Sequence, residues 1–145
     1  MHRREFVFRL HSLASITIPK SVIRIGNYAF CECQRLSSII IPEGVERISD
    51  FAFSGCSGLN SVIMTDGIVT IGEGAFSGCR CLNAITIPES LDSIGEMSFM
   101  HCSSLKVIAI PEKVKSIGSY AFENCSNLSS IKIPKGVTIL LYLVS

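Results

Sequence analysis

Seven cysteines are the residues best suited to chemistry in this 145-residue chain. Cys33, Cys56, Cys79, Cys102 and Cys125 recur every 23 residues, whereas Cys31 and Cys81 stand off that register. Such a set invites three readings: disulfide bonds, a metal centre or a reactive thiol. An odd number of evenly spaced cysteines does not make a disulfide framework. Stacked neighbours such as Cys56 and Cys79 approach disulfide distance, but disulfide geometry is restrictive. Zinc would need four ligands around one ion, with sulfur bonds of ~2.3 Å. The pairs Cys31-Glu32-Cys33 and Cys79-Arg80-Cys81 are two repeats apart, roughly 10 Å if the repeats stack as parallel strands. That is too far for one ion, so no metal site is expected.

The remaining reactive residues offer less. His2, His11 and His101 share no spacing that suggests a catalytic pair. A Cys-His nucleophile would require His101 and Cys102 to face each other, and adjacent residues on a bend usually point apart. Gly72-Glu73-Gly74 belongs to the repeat and not to a phosphate-binding loop. Glu32, Asp50, Glu73, Glu96 and Glu123 read as solubilising charges near a bend. No catalytic residue and no cofactor is expected.

The elements that position these residues follow from the same interval. Leu13, Leu36, Leu59, Leu82, Leu105 and Leu128 are spaced by 23 residues every time. A period of this size predicts a solenoid of stacked coils. One coil runs Leu36-x-x-Ile39-x-Ile41-Pro42-x-x-Val45-x-x-Ile48-x-x-x-Ala52-Phe53-x-x-Cys56. The pattern recurs from Leu59, with Thr65 in place of proline, and from Leu82 and Leu105. Ile39-x-Ile41 alternates, so a short strand sends both isoleucines inward. Pro42 closes it, because proline cannot donate a ladder hydrogen bond. Val45-x-x-Ile48 predicts a second short extended piece, and Ala52-Phe53 a tight bend with the ring in the core. One coil cannot bury its own apolar face and needs neighbours on both sides.

The expected fold is therefore a repeat solenoid of short parallel strands in 23-residue coils, with turns and little helix. Residues 1–12 read as a partial N-terminal coil, with Val7 at the phenylalanine register and Leu10 at the cysteine register. Residues 13–145 read as the solenoid proper: five nearly full coils and an incomplete C-terminal one. Neither end shows a polar cap, which suggests a piece of a longer array.

Composition narrows the function. Hydrophobic residues make up 48% and charged residues 17%, which argues against disorder. A net charge of +1 advertises neither nucleic acid nor a cation store. Glu5, Arg9 and His11 interrupt any apolar run long enough for a secretory signal. Ile139 to Val144 is apolar but about a third of the length a membrane span needs. No targeting element and no transmembrane segment is expected.

The pattern Leu-x-x-Ile-x-Ile-Pro-x-x-Val-x-x-Ile-Gly-x-x-Ala-Phe-x-x-Cys resembles the BspA-type, or Treponema-type, leucine-rich repeat over about residues 5–140. The resemblance implies a right-handed solenoid and places the recurring cysteine inward, as a small apolar filler. It brings no catalytic residue. It implies a non-enzymatic, protein-binding module, a surface adhesin or surface antigen, at the cell surface or outside the cell. The partner would be a protein, such as a host or extracellular-matrix protein, and not nucleic acid. The absent signal peptide departs from that pattern, and an intracellular scaffold is the alternative reading.

The candidate binding surface is the strand face that alternation turns outward. Its stripe is Thr17, Ile40, Ile63, Thr86, Ala109 and Lys132, flanked by Ser15, Ser38, Ser61, Ala84, Val107 and Ser130. Ile40 and Ile63 make an adjacent apolar pair. Strand propensity alone also accounts for these residue types. Arg24 and Arg47 read as flanking charges, either contacts for an acidic partner or solvated surface.

Overall fold

A computed structural model describes residues 12–140. The expected partial coil with Val7 and Leu10, together with His2 and His11, lies outside the described residues.

Within them the chain winds as a β-solenoid with two strand columns. The first column holds β1 (Arg24–Ile25), β3 (Arg47–Ile48), β5 (Thr70–Ile71), β7 (Ser93–Ile94), β8 (Ser116–Ile117) and β9 (Ile139–Leu140), all parallel and in that order. The second holds β2 (Ser38–Ile41), β4 (Ser61–Met64) and β6 (Ala84–Thr86). Every strand pair is offset by one repeat, as in Ile39↔Val62↔Ile85. The alternation read from Ile39-x-Ile41 holds: β2 is exposed, buried, exposed, buried along Ser38, Ile39, Ile40 and Ile41. Val107–Ile110 keeps that alternation but does not extend the ladder beyond β6. At the irregular position Thr65 replaces proline, and its hydroxyl donates to the Ile41 carbonyl at 3.0 Å.

The bend carries a third ladder that the repeat pattern does not announce. The N–H groups of Phe51, Phe53 and Gly55 donate to the carbonyls of Glu73, Ala75 and Ser77 in the next coil at 2.7–2.8 Å. Two positions per coil are left-handed to make this possible. One is Tyr28, Phe51, Gly74, Met97 and Tyr120, and the other is Glu32, Gly55, Gly78, His101 and Asn124, with φ between 56° and 78°. A left-handed non-glycine residue costs about 1 kcal/mol. The reversal aims N–H groups such as that of Phe51 along the stack, and one such hydrogen bond returns a similar amount.

The glycine that follows the second isoleucine has a different reason. At Gly118 an added Cβ would collide with the Glu96 backbone nitrogen. Coil-to-coil approach excludes a side chain there, and no left-handed backbone is involved. The core is a set of columns. Phe30, Phe53, Phe76, Phe99 and Phe122 stack with ring centroids 5.2–5.5 Å apart and planes within 14° of parallel. Leu36, Leu59, Leu82 and Leu105 are fully buried beside them.

Candidate functional site

Two arrangements were candidates for function: the cysteine register and the outward stripe. The cysteine register is interior. Cys33, Cys56, Cys79, Cys102 and Cys125 are buried, and all seven cysteines of the chain are free thiols. They do more than fill space. The thiols of Cys56, Cys79, Cys102 and Cys125 donate to the carbonyls of Phe30, Phe53, Phe76 and Phe99 at 3.0–3.2 Å. Each acceptor lies one coil back and also receives a turn bond, as Phe53 O does from the Cys56 N–H. The thiol therefore supplies a second donor to a buried carbonyl with two lone pairs. A serine there would be smaller and more polar, and an alanine could not donate.

These thiols are poor nucleophiles. Burial pushes Cys79 and Cys102 well above the ordinary thiol value and pushes Cys125 up to about 11. Thiolate is the reactive species, so Cys79, Cys102 and Cys125 are chemically quiet near neutral pH, whereas a hydrogen bond with the Cys56 thiol lowers the Cys33 pKa. Of the two off-register cysteines, Cys81 is exposed and Cys31 is half-buried. Burial first, and Glu32 second, raises the Cys31 pKa. Of this off-register pair only Cys81 therefore stands fully on the surface. Cys102 directs its thiol to Phe76 O, while His101 has its Nδ1 3.2 Å from the Asn124 side-chain amide. The two neighbours are turned to different partners. Among the described residues, no group of three or more His, Cys, Asp or Glu side chains is placed to hold a metal ion.

The outward stripe forms as a surface. Strand pairing aligns Ile40 with Ile63 and Thr86, and Ser38 with Ser61 and Ala84. Thr17, Ile40, Ile63, Thr86, Ala109 and Lys132 are all exposed. Ile40 is 61% exposed, Ile63 50% and Val107 65%, so apolar side chains stand on this face in three of the coils. Arg24 and Arg47 do not flank it. They pair with each other in the other sheet, where the Arg47 guanidinium lies 3.9 Å from Asp50. The reading of these arginines as flanking charges is corrected: they lie within the second extended piece of the coil, which builds a separate column. Among the described residues, no helix is long and apolar enough to cross a membrane.

Comparison with known proteins agrees with this architecture. A model of the BspA type leucine rich repeat region matches six copies, over residues 3–80 and 28–142. A leucine-rich repeat protein from Bacteroides ovatus is 36% identical and superposes with a TM-score of 0.82, over 88% of this chain and 35% of its own. A leucine rich cell surface protein from Faecalibacterium prausnitzii is 32% identical, with a TM-score of 0.71, over 90% of this chain and 48% of its own. The pneumococcal vaccine antigen PcpA is 28% identical, with a TM-score of 0.77, over 89% of this chain and 38% of its own. The chain spans less than half the length of these three proteins. Among proteins with curated descriptions, none matches the sequence.

Proposed function

From a chain that belongs to the BspA-type leucine-rich repeat family, we propose a non-enzymatic module that binds a protein through the stripe from Thr17 to Lys132. The observation that carries the proposal is the exposed Ile40–Ile63 pair on a regular parallel sheet. Apolar side chains at these positions do nothing for the core, which is complete beneath them. They are what a partner would cover. A surface adhesin or antigen is the favoured setting. Similarity to a leucine rich cell surface protein and to a vaccine antigen supports it. The second reading, an intracellular scaffold, draws on seven free thiols, since oxidising compartments favour disulfides.

The test is the double substitution Ile40→Lys with Ile63→Lys. Both sites are half exposed or more, so the unfolding free energy should move by no more than about 0.5 kcal/mol per site. Binding to a panel of immobilised extracellular-matrix proteins should fall. A double variant that does not fold would mean that the faces are reversed. Thiol counting on natively purified protein separates the two settings, because oxidised Cys31 or Cys81 would favour export.

A further inference from the structure

The outward face is bordered by charge of opposite sign on its two long sides. On the side where the chain enters the strands stand Arg35, Arg80 and Lys106, all exposed. That border, residues 34–37 and their equivalents in the next four coils, contains no aspartate or glutamate. On the side where the chain leaves stand Glu43, Asp66, Glu89 and Glu112, also exposed. Lys20 and Lys135 occupy this second border only in the first and last coils, and Lys113 follows Glu112. Among the described residues the ion pairs found are Arg47–Asp50 and Lys115–Asp92, and neither uses a border charge. Between the borders lie Ile40, Ile63 and Val107.

We propose that this face is a self-association surface, on which a second copy of the chain docks face to face about a two-fold axis parallel to the stack. The proposal rests on the outward-face reading above and names its partner. A strip with a basic left side and an acidic right side is its own complement under this rotation, which exchanges left and right and keeps the order of coils. Arg35 then faces Glu43 of the second copy, Arg80 faces Glu89, and Lys106 faces Glu112, each pair occurring twice as an isologous contact requires. Ile40 meets Ile40 and Ile63 meets Ile63 in the middle. The alternative two-fold, across the stack, would set acid against acid. Six coils at ~4.8 Å and about eight residues of extended chain at ~3.3 Å give a face of roughly 750 Å² per copy. A standard interface covers about 800 Å² per partner. Two residues oppose the arrangement: Lys113, beside Glu112 on the border that meets Lys106, and Lys132, which meets its own equivalent. Lys132 sits in the last coil, and both side chains have a long stem that lets the ammonium swing clear.

Sedimentation velocity on the full chain tests this. Wild-type protein should form dimers at rising concentration and shift toward monomer at roughly 1 M salt, where the Debye length is about 3 Å. In the coils from Leu82 and Leu105, Arg80→Glu with Lys106→Glu makes both borders acidic, and Glu89→Lys with Glu112→Lys makes both basic. Each variant alone should dimerise at least ~100-fold more weakly, because like charges then face each other. An equimolar mixture of the two should recover dimers of mixed composition. Unchanged thermal unfolding of each variant shows that folding is not the cause. A wild type that stays monomeric to millimolar concentration overturns the proposal, and so does a mixture that fails to restore dimers. Either result leaves the face available to a different protein. Only an unfolded Ile40→Lys, Ile63→Lys chain removes the binding face itself.

Discussion

Phe76→Ala probes the column that holds the coils together. Phe76 is fully buried, and its ring is stacked between Phe53 at 5.3 Å and Phe99 at 5.5 Å. Removing the ring leaves a cavity between two coils that backbone ladders keep at a fixed spacing. Collapse is therefore limited, and the loss should lie toward the upper part of the ~3–5 kcal/mol range for such truncations. Two broken ring contacts, each worth about 0.5–1.5 kcal/mol beyond area, point the same way. Phe122 is 1% exposed and, among the described residues, stacks on Phe99 alone. Phe122→Ala should cost about 1 kcal/mol less than Phe76→Ala. Urea unfolding followed by circular dichroism reads the difference. With a slope of about 2 kcal/mol per molar, Phe76→Ala should lower the midpoint by about 2 M. An effect under about 1 kcal/mol, or a larger loss at Phe122 than at Phe76, would refute the claim that stacked neighbours set the stability.

Other outcomes follow from single sites. Ser98 sits in the alanine position of its coil, and its buried hydroxyl has no partner. Ser98→Ala should raise stability by about 1 kcal/mol in thermal or urea unfolding. The buried thiols predict an alkaline limit. Burial holds the folded pKa values of Cys79, Cys102 and Cys125 above the ordinary 9.0, so at these sites the fold keeps protons that the unfolded chain gives up, and their contribution is full below pH 9. It then falls as pH rises. Cys125, pushed up to about 11, should lose its share of stability between pH 9 and 11, which unfolding across pH 8–11 will show. In native protein a maleimide should label Cys81 quickly and Cys31 slowly, and reach the five register thiols only with denaturant. Rapid labelling of Cys79 would contradict its burial.

Much of this molecule is legible from residue order alone. The 23-residue interval, the inward leucine, isoleucine and phenylalanine columns, and the outward direction of Ile40 and Ile63 are all periodic properties. Alternation along a strand and repetition between coils are enough to assign them. Tertiary structure decided what neighbouring coils do to each other. Tyr28, Phe51, Met97 and Tyr120 share no chemistry that announces a left-handed backbone, yet each adopts it. For Tyr28, Phe51 and Met97 a carbonyl of the next coil waits for the N–H. Gly95 and Gly118 are held to glycine by backbone atoms of the preceding coil, which are distant in sequence. The cysteines follow the same logic. Their burial was readable, but their role as donors depends on a phenylalanine carbonyl 26 residues earlier. Arg47 was misplaced because a coil has several outer faces, and sequence spacing tells inward from outward without telling one outer face from another.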